Sequence, residues 1–402
     1  MQKEQIKNII NEIIAEAQEF RNLKKELIDY RNKHKNTAKN LHIISIGKAG
    51  WQMAKVASDI FSKNFKSGFV ITKYKHKIAD IPNFEIWEAG HPIVDEKSLV
   101  ATQRLIELYG DLSINDKIIV LLSGGGSALC EKPKAGLSLE ALQEINSKLI
   151  NSGADIKEIN VIRKYLSDVK GGKLAKILFP AEIDCFILSD VIGNDLTAIA
   201  SGLFTSNYDS PNRIAEIMKK RKLDLPKIPF SQCTVTNVKS KIIGDVRLLC
   251  QIAKEIFIKH ELSAEIMRDN VTQDLNVFKN EIIEKIIQQK KGVYIWGGEI
   301  VLQVSGDGLG GRNMHLALSL ADVINKYENI TFFAFGSDGT DGPTDSAGAI
   351  IDSKTKFVAK TPKEYLNDFD SYRAFATIEA LISIFPIGIN MNDLYVLIID
   401  GK

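Results

Sequence analysis

Short apolar runs alternate with segments of helical period along most of this chain. Leu41–Ile46, Gly68–Thr72, Glu85–Glu88, Lys117–Leu122 and Asp184–Leu188 read as strands. Between them, Trp51–Phe65, Asp95–Leu108 and Leu139–Leu149 carry apolar residues three and four apart, the mark of helices with one buried face. This alternation predicts a parallel sheet with helices on both sides. Tyr208–Ile228 is basic and carries Pro211 and Pro226, so it reads as a linker or hinge. Beyond it the pattern resumes. Cys233–Val238 precedes a helix at Lys241–His260, and short strands follow at Ala264–Met267, Gly292–Trp296, Ile330–Ala334, Gly348–Ile351 and Leu394–Ile399. Helical segments Gln273–Gln289 and Met314–Lys326 sit among them. The expected organisation is two α/β domains, residues 1–225 and 226–402.

The N-terminal stretch places Ile6, Ile9, Ile10, Ile13, Ile14 and Ala17 at helical spacing. Acidic residues are mixed into its polar face, so it reads as a helix packed on a domain rather than one lying on a membrane. No apolar signal core and no run of about 18 apolar residues is present. The formal net charge of +2 is too small to mark a nucleic-acid surface. The four cysteines are widely spaced, without CxxC or zinc-type spacing, and fit reduced thiols in a cytoplasmic protein.

Glycine-rich polar clusters follow the predicted strands, where an open α/β sheet keeps its chemistry. Gly47-Lys48-Ala49-Gly50 stands between a strand and a helix, an anion-binding arrangement to which Lys48 adds a positive charge. Neither GxGxxG nor GxxxxGK[ST] occurs, so this is not a dinucleotide fingerprint or a P-loop. Ser123, Gly124, Gly125, Gly126 and Ser127 offer successive amides and two hydroxyls, a nest for phosphate oxygens. Asp190 ends a strand, where a carboxylate can accept a hydroxyl proton or hold Mg²⁺. Asp195 is better explained as a helix cap.

The basic run Arg163, Lys164, Lys170 and Lys173 reads most simply as a solvated helix face. Arg163 could still clamp a carboxylate or phosphate. Gly310, Gly311 and Asn313 surround Arg312 at a helix start, where a cation opposes the helix dipole; a residue set against local preference is a functional candidate. Asp338, Asp341 and Asp345 resemble a metal loop without the EF-hand glutamate. His91, before Pro92, lies beside such a loop.

Taken together, IGKAGWQMA, AGHPIVDE, LLSGGGSAL, NVIRKYLSDVKGGKLA, LSDVIGND with IASG, GGE, GDGLGGRN and FGSDGTDGPTDSAGA resemble the glycerate 2-kinases that end in a MOFRL domain, in family order from Ile46 to Ala349. The resemblance implies a Rossmann-like N-terminal domain, a smaller C-terminal α/β domain and an active site in the cleft between them. It implies ATP-dependent phosphorylation of D-glycerate on its 2-hydroxyl, with Mg²⁺. Lys48 and Arg312 match the family's catalytic lysine and arginine, and Asp190 an acidic cleft residue. With these, Gly47 and the Ser123–Ser127 loop are expected at phosphates, together with Gly310, Gly311 and Asn313. His91, Arg163 and Lys173 are expected at substrate, and Asp338 and Asp341 at the metal. The partners expected are ATP and glycerate, with neither nucleic acid nor membrane; a homodimer is left open. The alternatives are an NAD(P)H-dependent hydroxypyruvate reductase and a catalytically weak relative that only binds. The chain departs from the family pattern at Asn194, Leu203-Phe204, His315 and Phe385–Ile389. His315 is expected to gain charge below about pH 6.5.

Overall fold

The computed structural model describes residues 3–34, 40–62, 64–226, 228–384 and 388–401. The chain divides into two compact units: Arg21–Ile243, and Met1–Phe20 with Gly244–Lys402.

In the N-terminal unit the strands are β1 (Asn40–Ile46), β2 (Ser67–Lys73), β3 (Phe84–Ala89), β4 (Asp116–Leu122), β5 (Glu182–Leu188) and β6 (Val238–Gly244), in the order β3-β2-β1-β4-β5-β6. β1 runs parallel to β2 and β4, β2 to β3, and β4 to β5. The apolar runs of β1 and β4 are buried almost end to end, as expected of strands covered on both faces. This is the doubly wound order, in which the chain reverses direction across the sheet between β1 and β4; ligands bind at the carboxyl ends of the strands there.

The segment read as a linker belongs to this unit. Pro211–Arg221 is a helix opened by the Ser210 side chain and by proline in its first turn. Its Ile214 and Ile217 join Leu142, Leu149 and Ile162 in a core cluster. The chain then adds β6 at the edge of the same sheet, so the unit runs to Ile243 rather than to residue 225. β6 starts at Val238, where Cys233–Val238 was expected as the strand, and its Lys239, Ser240 and Lys241 are exposed. A polar edge strand lacks the apolar signal of its central neighbours.

The C-terminal unit holds β7 (Ala264–Val271), β8 (Gly292–Gly298), β9 (Ile330–Gly336), β10 (Gly348–Asp352), β11 (Leu381–Ile382) and β12 (Asp393–Ile399), in the order β11-β10-β9-β12-β8-β7. β12 is antiparallel to both β8 and β9. β9 and β12 are buried throughout. The N-terminal helix Lys3–Gln18 belongs here: its buried isoleucines pack toward helix Val246–Lys259. No described helix is long and apolar enough to cross a membrane.

Candidate active site

The loops after β1 and β4 lock together in the N-terminal unit. The Lys48 amide donates to the Gly124 carbonyl (2.8 Å), and the Ala49 amide to Ser123 Oγ (3.0 Å). Gly47 has φ +132°, and a Cβ there would stand 2.2 Å from Ser123 Oγ, so only glycine allows the approach. The same closeness locates the functional groups. A Cβ on Gly124 would lie 2.0 Å from Asp190 Oδ2, and one on Gly125 would lie 2.9 Å from His91 Cδ2 and 3.1 Å from Lys48 Cγ. Lys48, His91, Asp190 and the triple glycine therefore converge at the end of the sheet. His91, Gly125, Ser127, Arg163 and Asp190 line a cavity of about 730 Å³.

The two loop serines are not alike. Ser123 is buried and its hydroxyl accepts the Ala49 amide, so its visible task is joining the loops. Ser127 Oγ lies 2.8 Å from Ser201 Oγ, which donates to Asn160 Oδ1 (2.9 Å). Ala200 and Ser201 have φ +48° and +52°, a left-handed pair costing roughly 1–3 kcal/mol per residue that tends to cluster at functional sites. Reading motifs singly passes over this segment, which packs directly on the triple-glycine loop: a Cβ on Gly126 would stand 2.8 Å from the Ala200 Cβ.

The basic run expected on a solvated face is largely buried. Lys170 has no exposed surface and is ion-paired with Glu131, which also lines the cavity. Lys164 pairs with Asp209 at 2.6 Å. Arg163 Nε donates to Asn146 Oδ1 (3.0 Å); burial lowers its pKa, and Glu131 opposes that shift. The partners lie far away in sequence, which is why the run resembles a surface. Lys173 donates to the carbonyls of Lys164 and Ser167, each at 2.6 Å, and burial pulls its pKa down to about 8. It secures the end of helix Ile156–Leu166 and is not among the residues lining the cavity.

In the C-terminal unit, Asp393 opens β12 directly opposite Gly298 on one side and Gly336 on the other. It takes Arg312 bidentately, Nε to Oδ2 at 2.5 Å and Nη2 to Oδ1 at 3.2 Å. Arg312 Nη1 reaches Glu299 Oε1 at 2.7 Å, and Glu299 is held in turn by Asn392 (3.1 Å). Burial alone would lower the Arg312 pKa, but the Asp393 carboxylate, followed by Glu299, raises it above its ordinary value. These two acids compensate a cation at a helix start. Sequence reasoning did not single them out; GGE and the Asn-Asp before the last strand were their traces.

Asp341 accepts the amides of Asn313 (3.1 Å) and Met314 (2.8 Å), capping helix Arg312–Ser319 from another loop. It is 2% exposed, and burial pushes its pKa up to about 7. Each of its oxygens accepts a helix amide, so the role the structure shows for it is that of a cap. Asp338 Oδ1 closes a turn onto the amide and hydroxyl of Thr340 (3.1 and 3.0 Å). Among the described residues no three His, Cys, Asp or Glu side chains gather as a metal cluster. Gly310 and Gly311 pack so tightly that a Cβ on either would lie 2.2 Å from Ser371 Oγ or Asp341 Oδ1, and Asn313 is 1% exposed.

The departures find mostly local explanations. Asn194 has φ +57°, a left-handed turn that asparagine tolerates. Leu203 and Phe204 extend the core of the first sheet. His315 stacks on Phe369 with ring centroids 5.0 Å apart. Burial, helped by Lys279, holds its pKa down to about 4, so the expected gain of charge near pH 6.5 does not occur. Phe385, Pro386 and Ile387 lie outside the described residues; Ile389 is buried.

Two family models match the chain. The domain of unknown function DUF4147 matches residues 5–231, and the MOFRL family matches residues 292–393. A D-glycerate 2-kinase of Thermotoga maritima is 39% identical, over 88% of this chain and 89% of that protein. A crystal structure of a glycerate kinase from the same organism matches with a TM-score of 0.88 at 36% identity, covering 98% of this chain and 100% of that one. An Agrobacterium vitis protein with the provisional name hydroxypyruvate reductase is 33% identical, over 89% of this chain and 98% of that protein.

Proposed function

We infer, from the premise that this chain belongs to the glycerate 2-kinase family, that it transfers the terminal phosphoryl group of ATP to the 2-hydroxyl of D-glycerate, giving 2-phosphoglycerate and ADP. The observation that carries the assignment to residues is the meeting of Lys48, Asp190 and Gly124–Gly125 where the strand order reverses. Phosphoryl transfer asks mainly for positioning and charge neutralisation. Lys48 would neutralise charge on the transferred group, and the glycine loop would let its backbone approach the phosphates. Asp190 would take the hydroxyl proton as the new O–P bond forms and the bond to ADP breaks. His91 and Arg163 would orient the acceptor, whose carboxylate suits a guanidinium. Arg312, which matches the family's catalytic arginine, is fixed within the C-terminal unit by Asp393 and Glu299. Mg²⁺ is proposed to accompany the phosphates of ATP, and Asp341 is not offered as its ligand. The buried free thiols support a cytoplasmic setting.

Incubation with ATP and D-glycerate, with products identified by NMR, is expected to give 2-phosphoglycerate and ADP. Lys48→Ala should lower turnover by two or more orders of magnitude, roughly the loss of one preorganised charge contact, with an unchanged thermal midpoint. Near-wild-type turnover would remove Lys48 from the reaction. The relative named as a reductase motivates one control: oxidation of NADH by hydroxypyruvate, with no ADP formed from glycerate, would overturn the kinase reading.

A further inference from the structure

The cavity in the N-terminal unit is much larger than a three-carbon acid requires; its 730 Å³ falls in the range of pockets that hold drug-sized ligands. Its lining is also divided in character. Gly125 and Asp190 line it at the end where the glycine loop meets Lys48, and Arg163 lines it as well. Helix Leu139–Asn151 lines it too. That helix turns Leu142, Ile145 and Leu149 into the core and presents Glu140, Gln143, Glu144 and Ser147 to the cavity. Gln143 Nε2 donates to the Val94 carbonyl at 2.6 Å, tying the helix to the segment after His91.

Three elements each bring an isoleucine to this cavity that no core contact explains. Ile93 is 66% exposed, Ile150 is 56% exposed and Ile156 is 58% exposed. Ile150 sits beside Leu149 but off the apolar stripe of its helix, and Ile156 is the first residue of helix Ile156–Leu166. Exposed apolar groups gathered at one concave site mark a ligand groove. The same wall carries the acid Glu140 and the ion pair Glu144–Lys148 (2.6 Å), polar groups suited to hydroxyls. A ligand suited to this lining has an anionic end toward Lys48 and a body that offers apolar surface and hydroxyl groups to the far wall.

We propose that the part of the cavity bounded by Ile93, Ile150 and Ile156 seats the nucleoside of the phosphoryl donor, its base against the isoleucines and its ribose hydroxyls toward Glu140 and Glu144. This rests on the kinase reading for the identity of the donor. The phosphates then point to Gly125 and Lys48, and the acceptor occupies the end near Asp190.

Ile150→Glu and Ile156→Glu test the assignment at positions exposed enough to leave folding intact, which thermal melting verifies. Each is expected to raise KM for ATP by about tenfold, equivalent to about 1.4 kcal/mol, with KM for glycerate and kcat changed less than about twofold. ADP binding measured by calorimetry without glycerate should weaken by the same factor. An unchanged KM for ATP in both variants overturns the proposal while leaving the kinase reading in place. A rise confined to KM for glycerate also overturns it, placing the acceptor on this wall. If the wild-type protein binds ADP but makes no 2-phosphoglycerate, and the variants weaken that binding, the nucleoside site stands and the kinase reading falls. Absence of ADP binding to a wild-type protein that also lacks turnover overturns both.

Discussion

Single residues here owe their properties to neighbours that sequence distance conceals. Arg312 is set against the dipole of its own helix, yet Asp393 and Glu299 hold it in a fixed fork. Lys170 is a charge with no exposed surface, made tolerable by Glu131. His315 shows the reverse case, a titratable ring that its surroundings keep neutral. The unfolded chain protonates it near the ordinary value of 6.5, whereas the folded chain resists until about 4. Between those values the unfolded state binds more protons, so stability falls as the pH falls. His315→Phe keeps the stack on Phe369 and removes the titration. Between pH 7 and pH 5 the wild-type protein should lose about 1–2 kcal/mol relative to this variant, the size expected of a partly buried imidazole held below its usual value. Denaturant unfolding at the two pH values measures it, and equal losses in both proteins would show that His315 titrates freely.

At the scale of elements, the central strands were legible because burial on both faces makes them continuous apolar runs: β1, β4, β5 and β12 lie within a residue or two of their expected bounds. β6 was placed several residues early because its exposed lysines look like a loop, and the Pro211 helix was hidden by its own proline. The glycine clusters after β1 and β4 were legible as chemistry, but their mutual fit was not, since it depends on the parallel pairing of the two strands. That fit is measurable. Gly47→Ala must adopt φ +132° and meet both Ser123 Oγ at 2.2 Å and the Ser123 carbonyl oxygen at 2.5 Å. Gly136→Ala shares a positive φ of +87° but meets nothing within 4 Å. Gly136→Ala is expected to cost about 1 kcal/mol from backbone strain alone. Gly47→Ala should cost at least about 2 kcal/mol more and lower turnover more than about tenfold, because Lys48 moves with the loop. Equal stability and activity in the two variants would mean that the loops do not depend on their close approach.

At the scale of the whole chain, the order of residues and the order of folding units differ. The amphipathic spacing of Ile6, Ile9, Ile10, Ile13 and Ile14 announces a helix with one buried face, but it does not say which domain receives that face. The structure gives it to the C-terminal unit, on helix Val246–Lys259, while Arg21 begins the N-terminal unit. Each isoleucine contributes about 1.5–3 kcal/mol when fully buried, and Ile6, Ile9, Ile10, Ile13 and Ile14 are all buried. Deleting residues 1–20 should therefore destabilise β8, β9 and β12 and leave β1 and β4 protected. Hydrogen exchange followed peptide by peptide distinguishes the two units. The C-terminal strands are expected to exchange at least about tenfold faster in the truncated chain, the effect of about 1.4 kcal/mol on a local opening equilibrium. The Gly47–Ser127 region should be unchanged. Faster exchange confined to β1 and β4 would instead assign the N-terminal helix to the N-terminal unit, where the expected division at residue 225 placed it.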